Sequence, residues 1–300
     1  MAIIVHLGLC YAMKIVSNRK HELTIQLNHF KAKKNVKILF MGDSHTERSI
    51  DESQIDSSFM LGYYGENNMM NYYKLKYCLE HGYPVPKYAL FPCDIITFAK
   101  GFYRFRTNKF FYYRFIPVSD LSGLDDNPAS MYYDYAKTGI FPYNEWQYAL
   151  NRVNMDRQKK SKEKFSARPP EQRRKMAEHF VVDELMQGGD AAGLFDPKSI
   201  EFLKRTLVLC KQYHIKPVYL KFPLSDEVFV ELRNHIDSSF MNHRPSEEIL
   251  KAEGIPVLDF EYMFAGQPDK FFDSHHLNQQ GRNQFTPVLK RSLDSLMLVY

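Results

Sequence analysis

The chain is 300 residues long, enough for one large domain or two small ones. An apolar fraction of 44% and an aromatic fraction of 15% supply a sizeable core and exclude a disordered tail. The balance of 40 basic to 35 acidic residues leaves +5, a mild excess that suits an anionic surface or a glycan and falls short of nucleic-acid binding.

Residues 1–34 read either as an N-terminal helix docked on the domain or as the remnant of a membrane anchor. Ala2 to Met13 is mostly apolar, but too short to span a bilayer unaided. It lacks the basic start and small-residue cleavage site of a signal peptide, and Leu7-Gly8-Leu9-Cys10 only faintly matches a lipoprotein box. The basic residues that follow (Lys14, Arg19, Lys20, Lys31, Lys33 and Lys34) are what a cytoplasmic anchor flank would carry. Leu23, Leu27 and Phe30 share a helical face, which predicts a helix from about Met13 to Lys33.

Val36 to Met41 is a mostly apolar run without Gly or Pro, the pattern of a buried parallel strand, and is expected at the centre of the sheet. It stops at Gly42, and Asp43, Ser44 and His45 follow at once. Asp51 to Ser58 predicts a short helix capped by Asp51, and Phe59 to Leu61 a short strand. A glycine-bearing loop, Gly62 to Asn68, then opens a helix running to His81, with Gly82 as its C-terminal cap and Pro84 and Pro86 beyond. Tyr88 to Phe91 is the next strand, ending at Pro92-Cys93-Asp94.

From Lys100 to about Pro197 the alternation of strands and helices is lost, as in a large insertion or lid (residues 100–197) beside the site. Phe102 to Phe115 holds eight aromatics among Arg104, Arg106, Lys109 and Arg114, and Tyr132, Tyr133, Tyr135, Phe141, Tyr143, Trp146 and Tyr148 follow. Aromatic faces with interleaved cations can stack sugars, hold anions or sit at a membrane interface; packing of the insertion on the core explains them as well. Arg157 to Lys164 reads as a solvated helix face.

The rhythm returns with a helix from Ser199, a strand over Ile215–Lys221, helices over Ser225–Phe240 and Ser246–Glu253, a strand over Ile255–Phe260, and a last helix from Gln279 to Val299. This order calls for a three-layer α/β/α sandwich around a parallel sheet, over residues 35–300. Cys10, Cys78, Cys93 and Cys210 are too dispersed to specify a zinc site or a disulfide framework.

Two segments carry the chemistry. Ser44 follows a strand at the edge where ligands meet an open α/β sheet. Asp273-Ser274-His275-His276-Leu277-Asn278, just before the last helix, supplies an Asp-x-x-His pair. A serine hydroxyl becomes nucleophilic when a histidine takes its proton, and that histidine needs a carboxylate to fix its tautomer. Together, Gly42-Asp43-Ser44 and Asp273-x-x-His276 resemble the SGNH (GDSL-type) hydrolase superfamily. His276-Leu277-Asn278 with Gly281 resembles its cell-envelope branches, the D-alanyl-transfer and polysaccharide O-acetylation proteins.

The resemblance runs from about Asn35 to the C-terminus and implies a flavodoxin-like fold, with Ser44 as nucleophile, His276 as base and Asp273 as its orienting carboxylate. It implies Gly65 as an oxyanion donor beside the N–H of Ser44; His45, next to the nucleophile, and Asn67 are further pocket candidates by their place in the chain. The superfamily's Gly-x-Asn-Asp block is missing; Asp94 stands near its place, and Asn67 or Asn68 could substitute. The implied reaction needs no metal or organic cofactor. Its substrate would be an acylated carbohydrate or other small ester, expected as an O-acetyl ester of a cell-envelope glycan, with no nucleic-acid partner. Location in the cell envelope, with membrane association through the N-terminus, goes with that reading.

Two other classes stay open. A non-catalytic relative would bind a glycan or an assembly partner through a degenerate site. A metal-dependent phosphoesterase would use Asp43 and His45 of Gly-Asp-x-His as ligands, though the downstream Asn-His-Asp/Glu turn it needs is missing.

Overall fold

A computed structural model of the chain describes residues 22–103, 109–124, 128–140, 164–186, 195–236 and 244–300. Five short strands, β1 (Ile38–Phe40), β2 (Ser58–Met60), β3 (Tyr88–Pro92), β4 (Lys216–Lys221) and β5 (Val257–Asp259), form one sheet. Their order is β2-β1-β3-β4-β5, and every pairing is parallel.

Parallel strands are joined by crossovers, so helices cover both faces and the strands are apolar on both sides. Alternation along each strand sorts the side chains. Leu39, Met41, Ala89, Phe91 and Tyr219 face a core built with Leu27 and Phe30 of helix Glu22–Ala32, Tyr73 of helix Asn68–Glu80 and Phe202 of helix Pro197–Gln212. Ile38, Phe40, Leu90, Val218 and Leu220 face the opposite core, with Phe285, Leu289 and Leu293 of helix Gln279–Val299. Each buried Leu, Ile, Val, Met or Phe among them contributes about 1.5–3 kcal/mol by leaving water.

β1 is an interior strand, as its apolar run requires, but it is not the central one. The chain leaves β1 for the outer strand β2 and then crosses back to β3, so β3 holds the middle. This reversal makes the β1/β3 boundary the switch point of the sheet, the place where crossovers diverge and where ligands bind at the carboxyl ends of such sheets. Ladder bonds run past the β1 limits, from Lys37 N–H to Ser57 O and from Met41 N–H to Leu90 O.

Several elements differ in extent from the sequence reading. Asp51 caps only a single 3-10 turn, Glu52–Gln54, and the strand after it starts one residue early. Of the expected Met13–Lys33 helix, Glu22–Ala32 is seen, and the rest lies outside the described residues. So do residues 1–21, the aromatics Phe141, Tyr143, Trp146 and Tyr148, most of the 157–164 charge run, and the end of the Ser225–Phe240 helix. Among the described residues, no helix is long and apolar enough to cross a membrane.

Between β3 and β4, two described parts go to different places. Tyr112, Tyr113, Phe115 and Leu121 join the core over the Asn68–Glu80 helix. Ala177, Phe180, Val181 and Leu185 pack with Val228, Phe229 and Leu232 of helix Asp226–His235. Of the exposed aromatics, Tyr132 and Tyr133 lie on helix Pro128–Ile140.

Candidate active site

Gly42 makes the turn that ends β1. Its φ of +130° lies where side chains are disfavoured, and a Cβ there would meet Thr46 Oγ1 and stand 2.8 Å from Pro92 Cδ. The Gly42 N–H donates to Asn71 Oδ1 at 3.0 Å, and the Asn71 amide donates back to Asn67 O at 3.1 Å. The turn is thereby tied to the helix that follows β2. Asp43 then caps the short helix Ser44–Ser49, accepting from the His45 N–H at 2.9 Å. Ser44 is thus the first residue of a helix, half-buried at the carboxyl edge of the sheet.

The loop before the last helix reaches the same edge. Asn278 holds it: its side chain accepts from Gly281 N–H at 3.0 Å and donates to Asp269 O and Phe271 O at 2.7 and 3.1 Å. Inside this loop, Asp273 Oδ1 accepts from the backbone N–H groups of His275 and His276, at 3.1 and 2.8 Å. Asp273 Oδ2 lies 2.9 Å from His276 Nδ1, and His276 Nε2 lies 2.8 Å from Ser44 Oγ. With Asp273 accepting the Nδ1 proton, Nε2 carries the lone pair, and the Ser44 hydroxyl donates to it.

Burial would raise the Asp273 carboxyl, but His275, His276 and the hydrogen bonds from the loop outweigh it and hold Asp273 well below the usual carboxylate range. Burial pushes His276 below the ordinary histidine value, with Asp273 partly offsetting it. The pair is therefore an ionised carboxylate beside a neutral imidazole, the state a general base requires. His275 is pushed well below its ordinary value, again by burial first. Its ring stacks on Phe180 at 3.7 Å between centroids, 8° from parallel.

The other sequence-derived candidates fall around this line. His45 is buried, with its ring centroid 4.9 Å from that of His276 and 6.4 Å from that of Phe222. The loop after β2 lies against the nucleophile turn, since Tyr63 N–H donates to Gly42 O at 2.9 Å. Within that loop Gly65 turns with a φ of +72°. The Asn67 side chain is engaged as a helix cap, accepting from Met70 N–H at 3.0 Å, and Asn68 is buried in the first turn of that helix. Asp94, near the place of the missing asparagine, is buried with Oδ1 bound by the Thr97 N–H and hydroxyl, while Oδ2 has no partner among the described residues. Burial, with Asp94 nearby adding to it, raises Asp43 to about 6.

Three features of the site were not anticipated from sequence. One is the tie from Asn71 to Gly42. Another is Phe180 against His275. The third is a buried network behind Gly65, in which Glu66 pairs with Lys74 and accepts from the Tyr112 hydroxyl and the Tyr63 N–H. Asn71 left a trace, as a polar residue among the apolar Met70, Tyr73 and Leu75 of one helix.

No family profile matches the chain, and no curated protein matches it. Among solved structures it is similar to a Bacteroides fragilis protein provisionally described as an acylhydrolase, at 11% identity and a TM-score of 0.44, over 93% of this chain and 97% of that one. It is also similar to a GDSL-like lipase of Bacteroides thetaiotaomicron, at 12% identity and a TM-score of 0.45, over 93% and 98%. The chemistry is read from the side chains alone.

Proposed function

We propose that the protein is a serine ester hydrolase or acyltransferase, with Ser44 as nucleophile, His276 as general base and Asp273 as the carboxylate that orients it. The observation that carries this reading is the unbroken line from Asp273 Oδ2 to His276 Nδ1 at 2.9 Å and from His276 Nε2 to Ser44 Oγ at 2.8 Å. Ser44 attacks the ester carbonyl as its proton passes to Nε2. The imidazolium, stabilised by Asp273, then protonates the leaving alkoxide, and an acyl-enzyme remains. Water or a sugar hydroxyl, deprotonated by His276, takes the acyl group and regenerates Ser44. The N–H of Ser44 at the helix start, and that of Gly65, are the donors assigned to the developing oxyanion.

The substrate in this reading is a small acyl ester, an O-acetyl group on a cell-envelope carbohydrate. Phe272, beside the orienting Asp273, is 45% exposed, and the Arg48 guanidinium sits 5.1 Å over its ring. Arg48 lies four residues after Ser44 on one helix, so the two share a face. An exposed aromatic ring in the loop that carries the base and its carboxylate suits the apolar face of a sugar. Residence in the cell envelope and attachment through residues 1–34 belong to the same proposal.

The test is covalent labelling. A fluorophosphonate should add one equivalent to the folded protein, and peptide mass analysis should locate it on Ser44. Labelling elsewhere, or none in a folded sample, would favour a non-catalytic binding protein.

A further inference from the structure

One imidazole beside the site stands outside the Ser44–His276–Asp273 line. His45 is 1% exposed, and both of its ring nitrogens are buried without a hydrogen-bond partner among the described residues. A neutral imidazole carries one N–H and one lone pair, and burying both unpaired is unfavourable, so the ring calls for a partner. Its neighbours are two more imidazoles. The centroids of His275 and His276 lie 5.5 and 4.9 Å from that of His45, and one nitrogen from each of the three rings lies within 4.8 Å of the others.

Each of the other two rings has a partner at its Nδ1. The Asp273 carboxylate lies 2.9 Å from His276 Nδ1, and Ser274 Oγ lies 3.1 Å from His275 Nδ1. Metal-ligating histidines are oriented by a polar partner, often a carboxylate, on the nitrogen that does not bind the ion, as Asp273 is placed to do for His276. We infer that His45, His275 and His276 bind one divalent transition ion of the zinc class, and that the bound ion switches the serine centre off.

The ligand class follows from the donors. Three imidazoles favour zinc, copper or nickel over magnesium or calcium, which require oxygen ligands. A tetrahedral ion with bonds of about 2.1 Å spaces its ligand nitrogens roughly 3.4 Å apart. The rings must therefore draw together from a spread of up to 4.8 Å, leaving a fourth position for water.

The inhibitory effect follows from His276. Its Nδ1 is engaged by Asp273, so Nε2 is the nitrogen it can offer, and that same nitrogen faces Ser44 Oγ at 2.8 Å. A metal on that lone pair removes the proton acceptor Ser44 needs, so metal binding and acyl transfer exclude each other. The inhibitory half of this inference rests on the hydrolase reading, whereas the binding half does not.

The test titrates the full chain with zinc chloride by calorimetry, for wild type, His45→Gln, His275→Gln and Ser44→Ala, each checked for folding by circular dichroism. One equivalent should bind at this site, at least tenfold more weakly in each histidine variant and as in wild type in Ser44→Ala. Cobalt(II) added to wild type, which needs no variant, should give the visible absorption of a tetrahedral nitrogen-ligated ion. Hydrolysis of an acetyl ester should fall in step with zinc occupancy and return on adding EDTA. Absence of stoichiometric binding, affinity unchanged in both histidine variants, or no tetrahedral cobalt spectrum would overturn the site. Turnover unaffected at full occupancy would overturn the inhibition. A wild type inactive before any zinc is added, yet binding it as described, would sink the hydrolase reading and leave the metal site standing.

Discussion

His276 is buried beside an ionised carboxylate, and these two influences oppose each other. Burial is the larger, so the ring keeps its lone pair below the ordinary histidine value of about 6.5. The sign has a direct kinetic meaning. In the proposed reaction the base is neutral His276, so kcat/KM is expected to rise with pH as that ring deprotonates and to be on its plateau at neutral pH. The acidic limb of the kcat/KM profile is expected below pH ~6.5. A limb at or above that value would mean that the ring is more solvated, or Asp273 more dominant, than this geometry has it. The motif residues were legible in the sequence because each lies at a marked place: Ser44 after a strand-ending glycine, and Asp273 and His276 three apart before a capped helix. The surroundings were not. That His45, His275 and His276 cluster depends on how the Ser44–Ser49 helix and the 273–276 loop face each other across the sheet edge, which no local pattern encodes.

At the scale of elements, the loop from Gly62 to Asn67 stands on a buried ion pair. Lys74 pairs with Glu66 and also donates to Leu61 O, while the Tyr112 hydroxyl donates to the same Glu66 oxygen. Both charged side chains are fully buried. Burial raises Glu66 to about 7 and lowers Lys74, with each partner opposing the shift of the other. Removing the cation alone strands the carboxyl, so Lys74→Met is expected to cost about 3–5 kcal/mol in urea denaturation. The pH dependence has a definite sign. A carboxyl raised further in the folded state destabilises increasingly as pH climbs above its unfolded value of 4.5, so the loss should be larger at about pH 9 than at about pH 5. The double variant Glu66→Gln/Lys74→Met should recover part of it. A single-variant loss under about 1 kcal/mol at both pH values would show that the pair does not support the loop. The helix itself was evident in the sequence from Gly82 and the prolines beyond it. The pair was not, because Lys74 and Glu66 look like ordinary surface charges until the packing of Tyr112 covers them.

At the scale of the whole molecule, the sheet order brings together residues from the early and late parts of the described chain. Ser44 and His276 are 232 positions apart, yet both stand at the carboxyl edge beside the β1/β3 switch point. The parallel three-layer architecture was readable from the alternation of apolar strands and helices. The place of β1 was not, since an interior strand and a central strand carry the same apolar signature. The 100–197 stretch was readable only as a break in rhythm. Its parts settle on different neighbours, with Tyr112 and Phe115 over one helix and Phe180 at His275. The central claim is that these early and late residues form one catalytic unit, and kcat/KM for a chromogenic acetyl ester tests it in wild type, Ser44→Ala, His276→Ala and the double variant. Members of such a unit are not additive, so each single change should cost about 10³-fold or more, with the double no worse than the singles and the folds intact. Wild-type rates in Ser44→Ala, or losses that multiply in the double variant, would contradict it.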